Sequence, residues 1–371
     1  MEYRTLKNNL SLNLSTLAIN GISLNALSEK EIKDFLDNAK SNGLNIIDLF
    51  MTEQWSRKSI GKALKDYRKD FFVIAHLGSI FQKEQYKISR SIDEVSDSLE
   101  DLLNDMQTDY VDFGIIHNIE TLEDWNTICN DGFFEYCLGL KDYGKIKNLG
   151  ISTQNLQVAK AIIETKDIDV IMLPVNLFYD IDFGIEKDIN ILFNNHNLST
   201  QNMSFDTNKF EIYSLCQKKG VGIFATEIFG EGALLFDRTS PFKKALSVDE
   251  CIKYSLDRLG VVSALIDFND LEQMKQILKY YDETYFDKDY VRVLANYNLT
   301  FDNCLYCNNC LPCPKNIDIG KVLKAIDLLN DDEVLNEEFL TMAKKCNACG
   351  KCEINCPFGV NVIEKLKNMA R

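Results

Sequence analysis

The chain has 371 residues, enough for one large core plus a small appendage, since a barrel of about 200–250 residues can stand as a single domain. A formal net charge of −15 and a pI near 4.8 exclude partners bound through phosphate, so neither nucleic acid nor an anionic membrane surface is expected. No stretch approaches the ~20 apolar residues of a membrane span, and the opening MEYRTLKNNLSLNLST lacks the apolar core of a signal peptide.

From Leu17 to about Ile277, short apolar runs alternate with longer amphipathic ones. Strands are predicted at Leu17–Ile19, Asn45–Leu49, Phe71–Ala75, Val111–Ile116, Ile146–Ile151, Ile168–Leu173, Val221–Ala225 and Val261–Ile266. Helices are predicted between them, among others at Ser28–Lys40, Ile92–Met106, Asn155–Glu164 and Asn208–Lys219. Ser28-Glu-Lys-Glu31 has the spacing of a capping box, in which the serine hydroxyl accepts an orphan amide and the glutamate reaches back. Gly43 stands where the first of these helices must turn into the next strand. Such alternation predicts a (β/α)8 TIM barrel, which carries its active site at the C-terminal ends of its strands. A doubly wound open sheet would need a glycine-rich phosphate turn after its first strand, and Leu17-Ala-Ile-Asn-Gly21 is not one.

Residues 1–280 are thus assigned to the barrel, 281–300 to a connector rich in aromatic and charged residues, and 301–371 to a small domain. That last segment holds eight of the twelve cysteines in two runs, Cys304-x2-Cys307-x2-Cys310-x2-Cys313-Pro314 and Cys346-x2-Cys349-x2-Cys352-x3-Cys356-Pro357. Two-residue spacers let three successive sulfurs point into one cube, and a fourth cysteine before proline ligates the other cube of a pair. Three of the five prolines (Pro312, Pro314 and Pro357) lie in these runs, so the turn chemistry agrees with the spacing. Two [4Fe-4S] clusters are expected, one on Cys304, Cys307, Cys310 and Cys356, the other on Cys346, Cys349, Cys352 and Cys313. The first run departs from the ferredoxin pattern by one residue before its last cysteine. Two four-cysteine zinc sites are the alternative, disfavoured by the doubled Cys-Pro runs. Helical spacing over Ile317–Leu329 predicts a mainly helical ferredoxin-like domain. Cys129, Cys137, Cys216 and Cys251 read as core residues, and His196, in the polar stretch Asn194–Asn202, as surface. Thiolate clusters place the protein in a reducing, oxygen-poor setting, the cytoplasm of an anaerobe.

Read together, the barrel and the cysteine runs make the chain resemble the aldo/keto reductase family, in its branch with a C-terminal double [4Fe-4S] domain. Met1-Glu-Tyr-Arg-Thr-Leu6, Ser59-Ile-Gly-Lys-Ala-Leu64, Asp109-Tyr-Val-Asp112 with His117, and Gly144-Lys-Ile-Lys-Asn-Leu-Gly-Ile-Ser152 carry the resemblance. It implies hydride transfer by an Asp, Tyr, Lys and His tetrad, the tyrosine protonating the carbonyl oxygen. Asp48 and His117 match the aspartate and histidine. Glu53 stands in the tyrosine's place and His76 in the lysine's. For NADP, the resemblance implies Ser152, Thr153 and Asn176 as cofactor-binding residues. Met172 replaces a carboxamide-binding glutamine, and Glu227 and Asp267 bring negative charge to phosphate-binding positions, all of which argue against NADP.

Asp48, Glu53, His76 and His117 are therefore expected to converge as an acid–base group, or as ligands of a metal. The leading function is an iron–sulfur oxidoreductase that reduces a small carbonyl-like or unsaturated substrate, with electrons exchanged with a ferredoxin-like partner. A non-redox lyase or isomerase with structural clusters, and a non-catalytic electron-transfer or scaffold subunit, are the alternatives.

Overall fold

The computed structural model describes residues 1–82, 85–165, 167–183, 203–282, 288–294, 297, 299, 301, 303–329 and 334–370. The stretch Asn194–Asn202, with His196, lies outside them. The strands in chain order are β1 (Tyr3–Leu6), β2 (Asn9–Ser15), β3 (Leu17–Asn20), β4 (Ile46–Asp48), β5 (Phe72–Leu77), β6 (Ser79–Gln82), β7 (Gln85–Ile88), β8 (Val111–Ile116), β9 (Ile146–Ser152), β10 (Val170–Pro174), β11 (Ile181–Asp182), β12 (Ser204–Phe205), β13 (Gly222–Thr226) and β14 (Val261–Ile266).

Eight of them close a parallel barrel in the order β3-β4-β5-β8-β9-β10-β13-β14. The predicted strands and the barrel's strands coincide to within about two residues at their ends. Buried Ala18, Ile46, Ile74, Phe113, Ile115, Val170, Met172 and Phe224 pack together in one core, and Leu6 and Leu14 of the antiparallel β1–β2 hairpin join it. The interior is a packed core, so chemistry is confined to the strand ends. Packing is tight enough at β9 that a Cβ on Gly150 would lie 2.5 Å from Val170 and 2.6 Å from Ile115.

The helix Glu29–Ser41 starts on the capping box expected at Ser28 and Glu31, and Gly43 beyond its end has φ +83°. Ile92–Met106, Leu156–Ile163 and Thr207–Lys219 form the other expected helices. The short antiparallel hairpin β6–β7, between β5 and the helix Ile92–Met106, has no counterpart in the sequence-based assignment. Gly78 (φ +87°) starts it, and the Ser89 amide donates to the Gly78 carbonyl at 2.8 Å to close its base. A Cβ on Gly78 would meet the Ser89 carbonyl oxygen at 2.5 Å, so the closure requires glycine.

By compactness the chain divides into one unit of residues 1–174, 219–228 and 261–283, which contains the barrel, and a second of 175–218, 229–260 and 284–371. The second unit contains the helices Ile319–Asp327, Glu337–Lys344, Lys351–Asn355 and Val362–Ala370, so the C-terminal region is helical, as expected. Its interior holds a polar network. The buried Asp180 carboxylate accepts from the Tyr213 and Tyr254 hydroxyls, each at 2.7 Å. Buried Arg258 donates to the Leu305 carbonyl at 2.6 Å, and the Tyr290 hydroxyl donates to the same oxygen at 3.0 Å. Cys137, Cys216 and Cys251 are buried and Cys129 partly so. Among the described residues no helix is long and apolar enough to cross a membrane.

Candidate functional site

Asp48 ends β4, His76 lies one residue before the end of β5, and His117 follows β8, so all three stand at the C-terminal rim of the barrel. Their side chains form a chain of contacts. His76 Nε2 lies 3.1 Å from Asp48 Oδ1 and 3.3 Å from Oδ2. His76 Nδ1 lies 2.9 Å from His117 Nδ1. The Phe50 amide donates to Asp48 Oδ1 at 3.1 Å, which fixes the carboxylate, and the Phe50 ring lies 5.0 Å from the His76 ring and 4.9 Å from that of His117. Asp48 and His117 are buried. Burial lowers the His117 pKa to about 3, assisted by the nearby His76 and Arg90, so the imidazole is neutral at physiological pH.

A fourth group completes the chain. The Tyr86 hydroxyl, delivered by β7, lies 2.6 Å from His117 Nε2. Burial, opposed by the Arg90 charge, holds the Tyr86 pKa above the usual phenol value. Glu53 is differently placed. It precedes the helix Gln54–Leu64 as its N-cap residue, partly exposed, and its amide donates to Asn25 Oδ1 at 2.9 Å. Among the described residues no hydrogen bond or ion pair joins Glu53 to Asp48, His76 or His117. Sequence reasoning missed Tyr86, and its signal would have been the alternation Ile80, Gln82 and Tyr86, Ile88 on either side of a polar turn.

The residues expected to hold NADP make bonds within the protein. Ser152 Oγ accepts from the Asn118 amide at 2.7 Å and lies 3.4 Å from His117 Nδ1. Buried Thr153 accepts from the Asn155 amide at 3.0 Å through Oγ1. Asn176, in the second unit, accepts from the Phe178 and Tyr179 amides through Oδ1, each at 3.0 Å. Met172 is part of the barrel core. Glu227 Oε1 accepts from Gln154 Nε2 at 3.1 Å, which sets a carboxylate beside the residue that follows Thr153. The Asp267 carboxyl pKa is raised by partial burial and by Asp48, with the Asn20 side chain pulling it down.

In the second unit, Cys313 lines one pocket with Cys346, Cys349 and Cys352, closed by Ile363 and Leu366. The pKa of Cys310 is pushed up to about 12 and that of Cys307 to about 11, in both by burial first, and the Cys356 thiol adds to both. Cys304 is raised by burial, with Cys307 and Cys310 adding. Each run thus has the other run's last cysteine as neighbour. Backbone amides also point at the sulfurs, Tyr306 N at 3.2 Å from Cys304 Sγ and Lys315 N at 3.5 Å from Cys313 Sγ. Among the described residues no group of three or more His, Cys, Asp or Glu is arranged to hold a metal ion, at the barrel rim or elsewhere.

A closed eight-stranded parallel barrel with buried acid–base side chains on its C-terminal rim defines a TIM-barrel protein of the enzyme type. Residues 14–251 match the sequence profile of the aldo/keto reductase family; the chain belongs to that family, a family of oxidoreductases. No curated protein sequence matches significantly. Among solved structures, aldo-keto reductase AKR11C1 from Bacillus halodurans in its holo form is 22% identical, with 76% of this chain and 92% of that chain covered and a TM-score of 0.58. The glycerol dehydrogenase AKR11B4 from Gluconobacter oxydans is 17% identical (80% and 96% covered, TM-score 0.55). An aldo/keto reductase from Klebsiella pneumoniae in complex with NADP and acetate is 14% identical (76% and 90% covered, TM-score 0.52). At these identities the likeness is one of fold.

Proposed function

We propose that the protein reduces a small carbonyl-like or unsaturated substrate at the barrel rim, with electrons passed through two [4Fe-4S] clusters from a ferredoxin-like donor. The observation that carries this reading is the chain Asp48–His76–His117, three groups that handle protons, in the rim of an aldo/keto reductase barrel.

The thiolates support the clusters by their arrangement. Cys304, Cys307, Cys310 and Cys356 would hold one, and Cys346, Cys349, Cys352 and Cys313 the other. Bound clusters would supply electrons singly. The chain's own residues do the rest. Buried His117, neutral at physiological pH, presents Nε2 toward the rim, while His76 and Asp48 fix its ring and the position of its proton. A proton passed from this linked set of groups to a substrate oxygen as charge builds on it contributes ~10²–10⁴-fold in general acid–base catalysis. The bonds already made by Ser152, Thr153 and Asn176, together with the Glu227 carboxylate, favour cluster-borne electrons over NADP. The need for intact thiolates and a ferredoxin-like donor fits the cytoplasm of an anaerobe, with no nucleic acid or membrane partner.

The test is anaerobic purification followed by turnover of a panel of small aldehydes, ketones and enones, with reduced ferredoxin or NADPH as the donor. Reduction with ferredoxin, lost on His117→Ala while iron is retained, supports the reading. Reduction with NADPH alone would return the protein to the family's nicotinamide chemistry. Interconversion of panel members without net reduction would favour an isomerase using the same acid–base groups.

A further inference from the structure

We infer that Tyr86, carried on the β6–β7 hairpin, is the catalytic acid of the barrel rim and donates its phenolic proton to the substrate oxygen. The inference rests on the reading of the rim as the active site.

The hydrogen bonds fix a direction. The Asp48 carboxylate can only accept, so His76 donates to it through Nε2–H. A neutral His76 then has a bare Nδ1, which must accept from His117 Nδ1–H at 2.9 Å. Neutral His117 is left with a bare Nε2, and the Tyr86 hydroxyl, 2.6 Å away, donates to it. With both imidazoles neutral, one placement of protons satisfies all four groups, and it ends on Tyr86 as the outermost donor. Burial of His117, which keeps its imidazole neutral, agrees with this order.

Placement agrees as well. Of the four side chains Tyr86 is the exposed one, at 40%, whereas Asp48 and His117 are buried. Its ring meets Phe50 and His117 edge-on, at 6.1 and 5.9 Å, and it pairs across the hairpin with Phe81. A hydroxyl hydrogen rotates about its C–O bond, so Tyr86 can turn its proton from His117 Nε2 to an arriving oxygen. Glu53, in the position where the resemblance implies a tyrosine, is the N-cap of the helix Gln54–Leu64 with its amide on Asn25, and the Ser152 hydroxyl, 3.4 Å from His117 Nδ1, accepts from the Asn118 amide.

The step balances as a two-electron reduction. The reductant, a protein of the ferredoxin class, provides two electrons to the carbonyl. The O–H bond of Tyr86 breaks as the substrate O–H bond forms, and water supplies the second proton to the carbon. The phenolate left on Tyr86 takes its proton back from water across its exposed edge.

Tyr86→Phe tests this in the cluster-loaded protein, since it removes the hydroxyl and keeps the ring. Two readouts are used. With the panel substrates, turnover should fall ~10²–10⁴-fold with iron content unchanged, and the fall should appear in kcat rather than KM. Independently, nitrogen NMR of the imidazoles, few because the chain has only three histidines, should show His117 as the Nδ1–H tautomer in the wild type. Tyr86→Phe should move its Nε2 signal and raise the pH at which it titrates. If His117→Ala abolishes turnover while Tyr86→Phe leaves it intact, the rim is the active site and this inference is wrong. If both leave turnover intact, the reading of the rim fails as well. Should no panel substrate be turned over, the imidazole signals decide alone: a His117 signal indifferent to Tyr86→Phe overturns the inference.

Discussion

His76 and His117 meet through the same ring atom, Nδ1 to Nδ1, at 2.9 Å. A contact between like nitrogens requires one to carry a proton and the other a lone pair, so the two rings cannot share a tautomer. The His76 ring is also one of the groups that hold the His117 pKa down, after burial.

Acid should therefore weaken the fold through His117. Its pKa is about 3 in the fold against an ordinary 6.5, so between these values the unfolded chain binds more protons than the folded one. Stability from this group is complete above pH 6.5 and falls as the pH drops toward 3, at up to roughly 1.4 kcal/mol per pH unit. Denaturant midpoints measured at several pH values should show a shallower acid limb in His117→Gln than in the wild type.

Anaerobically purified protein should contain about eight iron atoms and eight acid-labile sulfides per chain. Cys307→Ala should remove one cluster and Cys349→Ala the other, each leaving about half the iron. The neighbour relations further predict that Cys356→Ala pairs in its effect with Cys307→Ala, and Cys313→Ala with Cys349→Ala, when cluster spectra are compared. Zinc at about two atoms per chain with little iron would refute both expectations.

NADPH should bind weakly, with Kd above ~1 mM, the upper end of common KM values. Glu227 supplies part of the reason, so Glu227→Gln should tighten binding by removing a carboxylate from the rim. Quenching of protein fluorescence by NADPH is the measurement, and saturation in the micromolar range for the wild type would contradict the expectation.

Removing the Asp180 side chain strands the hydroxyls of Tyr213 and Tyr254 in a buried setting near Arg258. Asp180→Ala should cost about 3–5 kcal/mol, as when one partner leaves a buried charged network, and Asp180→Asn less. Urea unfolding of the two variants checks the order. Tyr290→Phe, which takes one of two donors from the Leu305 carbonyl and an acceptor from buried Arg258, should cost about 1–3 kcal/mol.

The barrel was legible because most of its strands are short apolar runs flanked by turn residues, β8 and β14 being buried along their whole length. The start of the first barrel helix was legible from Ser28 and Glu31 alone. The β6–β7 hairpin was not, because β7 has only four residues and is exposed along its whole length, so its alternation marks no buried face. For the same reason the sequence offered Glu53, found by its distance from Asp48, and passed over Tyr86, which reaches His117 only through a fold-back of the chain. The pairing of each cysteine run with the other's last member was read from the Cys-Pro spacing alone.

Gly78 and Ser89 join backbone to backbone at the foot of the hairpin, so the ten residues between them leave and return at almost one point. The barrel does not need them: β5 ends before Gly78, and the next barrel helix begins at Ile92. Such an insert can be lengthened, exchanged or excised with little disturbance to the sheet that carries Asp48 and His76. A rim built this way is modular, with its buried histidines inherited from the barrel and its outermost hydroxyl contributed by a loop free to vary at a different pace.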